Sequence, residues 1–101
     1  MSDSSTLALT GDLTLATVAT LFRDLTPKVT GSDRCLAIDL GATGRIDSAG
    51  LALLLEWQSR AIAEGAPLQL NNVPDDILRL ARLCEAAELL GLEPEAGNAN
   101  G

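Results

Sequence analysis

One stretch fixes most of the architecture: RCLAIDLGATGRIDSAGLALLLEWQSRAIAEG, residues 34–65. Its first part, RCLAIDL (34–40), is a continuous apolar run of strand length, as expected of a central strand covered on at least one face. GATGRID (41–47) reads as a loop. From Ser48 to about Glu64 the chain carries its longest helical segment, with Gly65 as the stop. The flanks repeat this alternation. TLALTG (6–11) reads as a short strand ended by Gly11. Val18, Leu21, Phe22 and Leu25 then recur at i, i+3, i+4, i+7, one helical stripe. Thr14 is the expected N-cap of that helix, and Pro27 is expected to stop or bend it near Leu25–Thr26. PLQL (67–70) follows as a short strand. Pro74 suits the first position of another helix, with Asp75 and Asp76 at its positive end. Ile77, Leu80, Ala81 and Cys84 form its inward stripe, and AAELLGL adds a last helical turn or two. Such an order predicts one α/β domain over residues 6–92, a small, largely parallel sheet of three to four strands packed against three to four helices. Residues 1–5 and 93–101 are expected to be flexible.

Composition narrows the function. The net charge of −7 opposes the basic footprint that nucleic acid requires. No apolar run approaches the roughly 20 residues of a membrane span, and no signal peptide opens the chain, so a cytoplasmic protein without direct membrane insertion is expected. The chain contains neither histidine nor tyrosine. A Ser-His-Asp or Cys-His arrangement cannot be built from it alone, and the His/Cys spacing of a zinc site is missing. The reading is therefore non-catalytic, with no metal and no cofactor. Cys35 and Cys84 both sit in apolar contexts and are expected to be buried free thiols.

Ser48 supports three readings. As an N-cap, either it or Asp47 accepts hydrogen bonds from the first free N–H groups of the helix. As part of a phosphate cradle, it would close DLGATGR, which lies between strand and helix but lacks the lysine and spacing of a P-loop. As a regulatory or docking hydroxyl, it stands exposed at a helix mouth. The helix faces bear on the choice. Gly50, Leu51, Leu54, Trp57, Ala61 and Ile62 face the sheet, whereas Glu56, Ser59, Arg60 and Glu64 face solvent. Projected into the first turns, the solvent side holds Ala49, Ala52 and Leu53. These residues are expected to form an exposed apolar docking patch beside Ser48, and Leu53→Asp to abolish docking while leaving the fold intact.

CLAIDLGATGRIDSAGLALLLEW resembles the signature of STAS domains, a buried strand leading through a loop to Asp-Ser/Thr-x-Gly-Leu and a long helix. The likeness extends to TLALTGDL and LQLNNVPDDILRLARL and covers roughly residues 6–92. Within the family, GLALLLEW and the short chain look most like the small STAS subunit of bacterial lipid-asymmetry ABC transporters, also called toluene-tolerance proteins. That resemblance implies an interaction module on the cytoplasmic ATPase subunit of a phospholipid transporter, peripheral to the inner membrane through the complex. The partner-binding residues would be Asp47, Ser48, Ala49, Gly50, Ala52 and Leu53. The next nearest branch, the anti-sigma-factor antagonists, implies instead a switch in which Ser48 is phosphorylated. Many STAS domains carry a further strand before the first one here, which MSDSS is too short and polar to supply.

Overall fold

The computed structural model describes residues 6–31 and 34–92. It contains β1 (Thr6–Leu13), α1 (Val18–Val29), β2 (Ala37–Ile46), α2 (Ser48–Ala63), β3 (Gln69–Asn71) and α3 (Asp75–Leu83). The three strands form one parallel sheet in the order β1-β2-β3, so α1 and α2 are the two crossovers. Period-two alternation explains why one face is covered. Leu9 of β1 and Ile38 and Leu40 of β2 are buried beneath the helices, whereas Thr6, Ala8, Thr10 and Gln69 on the opposite face are exposed. α2 touches α1, α3, β1 and β2, which makes it the centre of the helical layer. The expected class and sheet are therefore observed, with three strands and three helices among the described residues.

Tertiary bonds move several element boundaries from where the sequence places them. GATGRID is not a loop: β2 runs through Ile46. Likewise β1 continues through Gly11 to Leu13, and the two strands pair as far as Leu13 with Ile46. Two register shifts, between Ala8 and Thr10 and between Gly11 and Leu13, absorb the mismatch between eight residues of β1 and ten of β2. Such bulges are where glycine-containing strands locally bend. The Asp12 carboxylate supports the second one by accepting from Arg45 N–H at 2.9 Å. With these residues in strand, the segment between Leu40 and Asp47 is not the strand-to-helix loop that the phosphate-cradle reading requires.

α1 begins at Val18, with Thr17 rather than Thr14 at its cap position. The Thr17 hydroxyl instead accepts from Thr14 N–H at 3.0 Å and lies 2.8 Å from the Asp12 carbonyl. A side chain that bonds the preceding backbone this way competes with helix propagation. Pro27 neither stops nor ends α1, which continues to Val29. The last turn is held from outside: Val29 is fully buried, Lys28 C=O accepts from Cys35 N–H at 2.8 Å, and Thr26 Oγ1 accepts from Trp57 Nε1 at 3.0 Å.

α2 ends as expected at Gly65, whose φ of +93° suits only glycine without strain. In α3, Ile77 and Ala81 are buried and Leu80 is half-buried. Cys84, expected on this inward stripe, is exposed, because the helix stops at Leu83 and Glu85 turns the chain with φ +58°. Cys35 is a buried free thiol, and burial pushes its pKa up. Ala86, Ala87 and Leu90 of the turn after α3 close the core. The terminal segments 1–5 and 93–101, and any strand before β1, lie outside the described residues.

Candidate functional site

The turn from β2 into α2 sets the site. Asp47, in extended backbone, is the N-cap of α2. Its Oδ1 accepts from Ala49 N–H at 2.9 Å and Gly50 N–H at 3.1 Å, the capping pattern that satisfies orphan donors. Its Oδ2 reaches another element and accepts from Leu15 N–H at 3.0 Å. These bonds favour the charged form, and Leu15 N–H, the strongest cause, followed by Gly50 N–H, holds the carboxyl below its ordinary pKa. Asp47 N–H in turn donates to the Leu13 carbonyl at 3.1 Å. Gly50 is buried directly against that same carbonyl, and a Cβ at this position would overlap it. Glycine is therefore required by close approach, not by its dihedral angles.

With Asp47 as the cap, Ser48 is released from that task. It is the first residue of α2, exposed, and its hydroxyl has no hydrogen-bond partner among the described residues. Beside it lies an open groove of about 390 Å³ between α1 and α2. Ala49, Ala52, Leu53 and Glu56 line one wall, and Val18, Ala19 and Phe22 the other. The Arg60 guanidinium lies 5.2 Å from the Phe22 ring centroid and pairs with Glu56 at 2.7 Å, which closes the far end with a charged rim. Leu15, 76% exposed, stands at the near end on the segment tied to Asp47.

Of the six sequence-derived site residues, Ser48 and Ala52 are exposed as expected; Ala49, expected to be exposed, is half-buried, and Gly50, named as a partner contact, is buried. Asp47 lies at the mouth, but both carboxylate oxygens are spent within the domain. Leu53 departs from expectation: it is 5% exposed and belongs to the core. It lies on the flank of α2 between sheet and solvent, and α1 covers that flank. Ile62 departs in the opposite sense, 44% exposed where burial was expected. The α1 wall was missed altogether. Its signal was present, since Val18, Ala19, Leu21, Phe22 and Leu25 span an apolar arc wider than contact with the core consumes. Among the described residues no group of three His, Cys, Asp or Glu side chains could hold a metal, and no helix is long and apolar enough to cross a membrane.

A one-sided parallel sheet, an Asp-Ser-x-Gly-Leu turn with the aspartate as cap, and an apolar groove at the helix mouth define a STAS-type module. A family profile described as "Mlab, STAS domain" matches residues 1–91, and the chain belongs to this family. It is similar to the intermembrane phospholipid transport system binding protein MlaB of Escherichia coli (strain K12), 35% identical over 83 residues, 82% of each chain. The MlaB protein of Shigella flexneri matches to the same extent. The fold is also that of a sulfate transporter family protein from Wolinella succinogenes, at a TM-score of 0.67 and 18% identity, covering 86% of this chain and 70% of that one.

Proposed function

We propose that the protein is a non-catalytic STAS subunit of an intermembrane phospholipid transport system, and that it docks on the cytoplasmic ATPase subunit of the ABC transporter, which places it at the inner membrane through that complex. The names of its MlaB relatives support the system. The observation that carries the docking is the apolar groove at the mouth of α2, open to solvent and rimmed by charge. Interface cores combine desolvated apolar contact with a polar rim, and this groove offers an apolar surface and a charged rim to such a contact. The one charged residue lining the groove, Glu56, is paired with Arg60, so apolar contact is available without an unpaired buried ion.

Ala52→Asp tests this reading, because Ala52 is exposed and its replacement leaves the core untouched. The variant is expected to keep the wild-type melting temperature within about 2 °C, as surface changes do, and to fail to co-purify with the transporter ATPase. Co-purification at wild-type yield would overturn the reading.

One observation favours a second reading, a phosphorylation switch at Ser48: the hydroxyl is exposed and unbonded at a helix N-terminus. A phosphate there adds a charge of about −1.5 to −2 at an apolar contact and weakens it. Intact mass of protein from native cells across growth states tests it, and an unmodified mass throughout would dismiss the switch.

A further inference from the structure

We propose that Asp47 is the positioning residue of the α1/α2 groove, a two-element clamp that fixes the spacing of its walls without itself touching the partner. This rests on the docking reading above and specifies how that site is held. The two helices are tied at their far ends by Trp57 Nε1 to Thr26 Oγ1 at 3.0 Å and by Gly31 N–H to the Glu64 carboxylate at 3.3 Å. At the near end, where the groove opens, Asp47 is the one side-chain hydrogen-bond tie among the described residues. One oxygen holds the first turn of α2 through Ala49 and Gly50; the other holds the segment leading into α1 through Leu15. Ala49 belongs to one wall, and Leu15 lies three residues before Val18 of the other. Residues 14–17 form a turn closed by Thr17 N–H on Thr14 C=O at 2.8 Å, so a shift at Leu15 is carried directly into Val18 and Ala19. The acceptor capacity facing both elements is used, and a carboxylate is the group that can accept on both oxygens at once.

The clamp can be cut from either side. Asp47→Ser keeps a good N-cap but is too short to serve both elements. Leu15→Pro removes the N–H donor together with the leucine side chain, at the second position of a turn, which proline favours. Leu15→Ala, which keeps the N–H, controls for the lost side chain. In the isolated protein, Asp47→Ser is expected to raise hydrogen exchange at the Leu15 amide at least tenfold while Trp57 fluorescence still reports a folded core. Against the transporter ATPase, Asp47→Ser and Leu15→Pro should each weaken binding about tenfold or more relative to wild type and to Leu15→Ala respectively. Unchanged Leu15 exchange in Asp47→Ser, or Leu15→Pro binding as tightly as Leu15→Ala, would overturn the clamp. Should Asp47→Ser fail to fold, the proline and alanine pair decides alone. Ala52→Asp separates the two ideas: if it binds normally the docking reading falls, whereas if it is lost and the clamp variants bind normally only the clamp falls.

Discussion

At the scale of single residues, the neighbours Asp47 and Ser48 divide two tasks that the sequence left joined. Either could have capped α2; the geometry gives the cap to Asp47 because the extended backbone after Ile46 aims its carboxylate along the helix axis. Ser48→Ala is therefore expected to change stability by no more than about 0.5 kcal/mol, the range of an ordinary surface substitution. Ser48→Asp should remain as stable, since the helix N-terminus favours an anion, yet lose the ATPase, because an unpaired carboxylate in a dry contact costs several kcal/mol. A thermal melt beside a pull-down checks both, and a Ser48→Asp protein that binds normally would place the serine outside the contact. The carboxylates also set the acid response. Asp47 has its pKa lowered by Leu15 and Gly50 N–H, and Asp39 by Gly41 N–H and then the Asn72 amide. A lowered native pKa means that the unfolded chain binds more protons in acid. The stabilisation is thus complete above the unfolded carboxylate value of about 3.9 and is lost as pH falls below it toward the native values. Urea midpoints followed from pH 5 to pH 2.5 should decline less steeply for Asp47→Asn than for wild type. Parallel declines would remove Asp47 from the acid response.

At the scale of elements, periodicity carried the order and type of every strand and helix, and it failed where distant partners overrule local preference. Pro27 costs α1 one N–H, but Val29, Lys28 and Thr26 each find an anchor beyond the helix, so the last turn survives. The glycines of GATGRI read as a loop because no local rule reports that β1 will pair alongside them. Gln58 is the clearest case of a role invisible in sequence: it is 2% exposed, with its amide accepting from Leu68 N–H at 2.7 Å and donating to Leu68 C=O at 3.0 Å. The side chain supplies the hydrogen bonds of a missing strand neighbour just before β3. Gly50, by contrast, was legible as part of a turn motif but not for its reason. In an ordinary helix interior, Gly→Ala gains roughly 1 kcal/mol. Here the added methyl would have to displace the Leu13 backbone carbonyl, and overpacking of a rigid neighbour costs about 1–3 kcal/mol. The second effect is larger, so Gly50→Ala should lower the denaturation midpoint despite its better helix propensity. A raised midpoint would show that β1 yields at Leu13 and that the close approach is not obligatory.

At the scale of the whole molecule, one core joined through α2 leaves little room for the division between fold and docking surface that the sequence suggested. Leu51, Leu53, Leu54, Trp57 and Ala61 are all buried members of one cluster that also holds Leu9, Ile38, Leu40, Ile77 and Leu90. Ala52, one residue from Leu53, is exposed. A residue's side of this boundary depends on whether α1 covers it, which helical projection of α2 alone cannot report. The two neighbours should consequently separate docking from folding. Domains of this size hold about 5–15 kcal/mol of stability, and an ionised side chain buried without a partner costs several kcal/mol of it. Leu53→Asp is therefore expected to unfold a large fraction of the chain and to lose ATPase binding for that reason, whereas Ala52→Asp loses binding while folded. Trp57, fully buried and the sole tryptophan, is the reporter. Its emission should shift to the red in Leu53→Asp without denaturant and stay native in Ala52→Asp. In wild type its urea transition should coincide with loss of helical circular dichroism, as a single cooperative core requires. If Leu53→Asp instead keeps native Trp57 emission and a wild-type midpoint, α1 can swing off the flank of α2, and the groove is a hinge rather than a fixed surface.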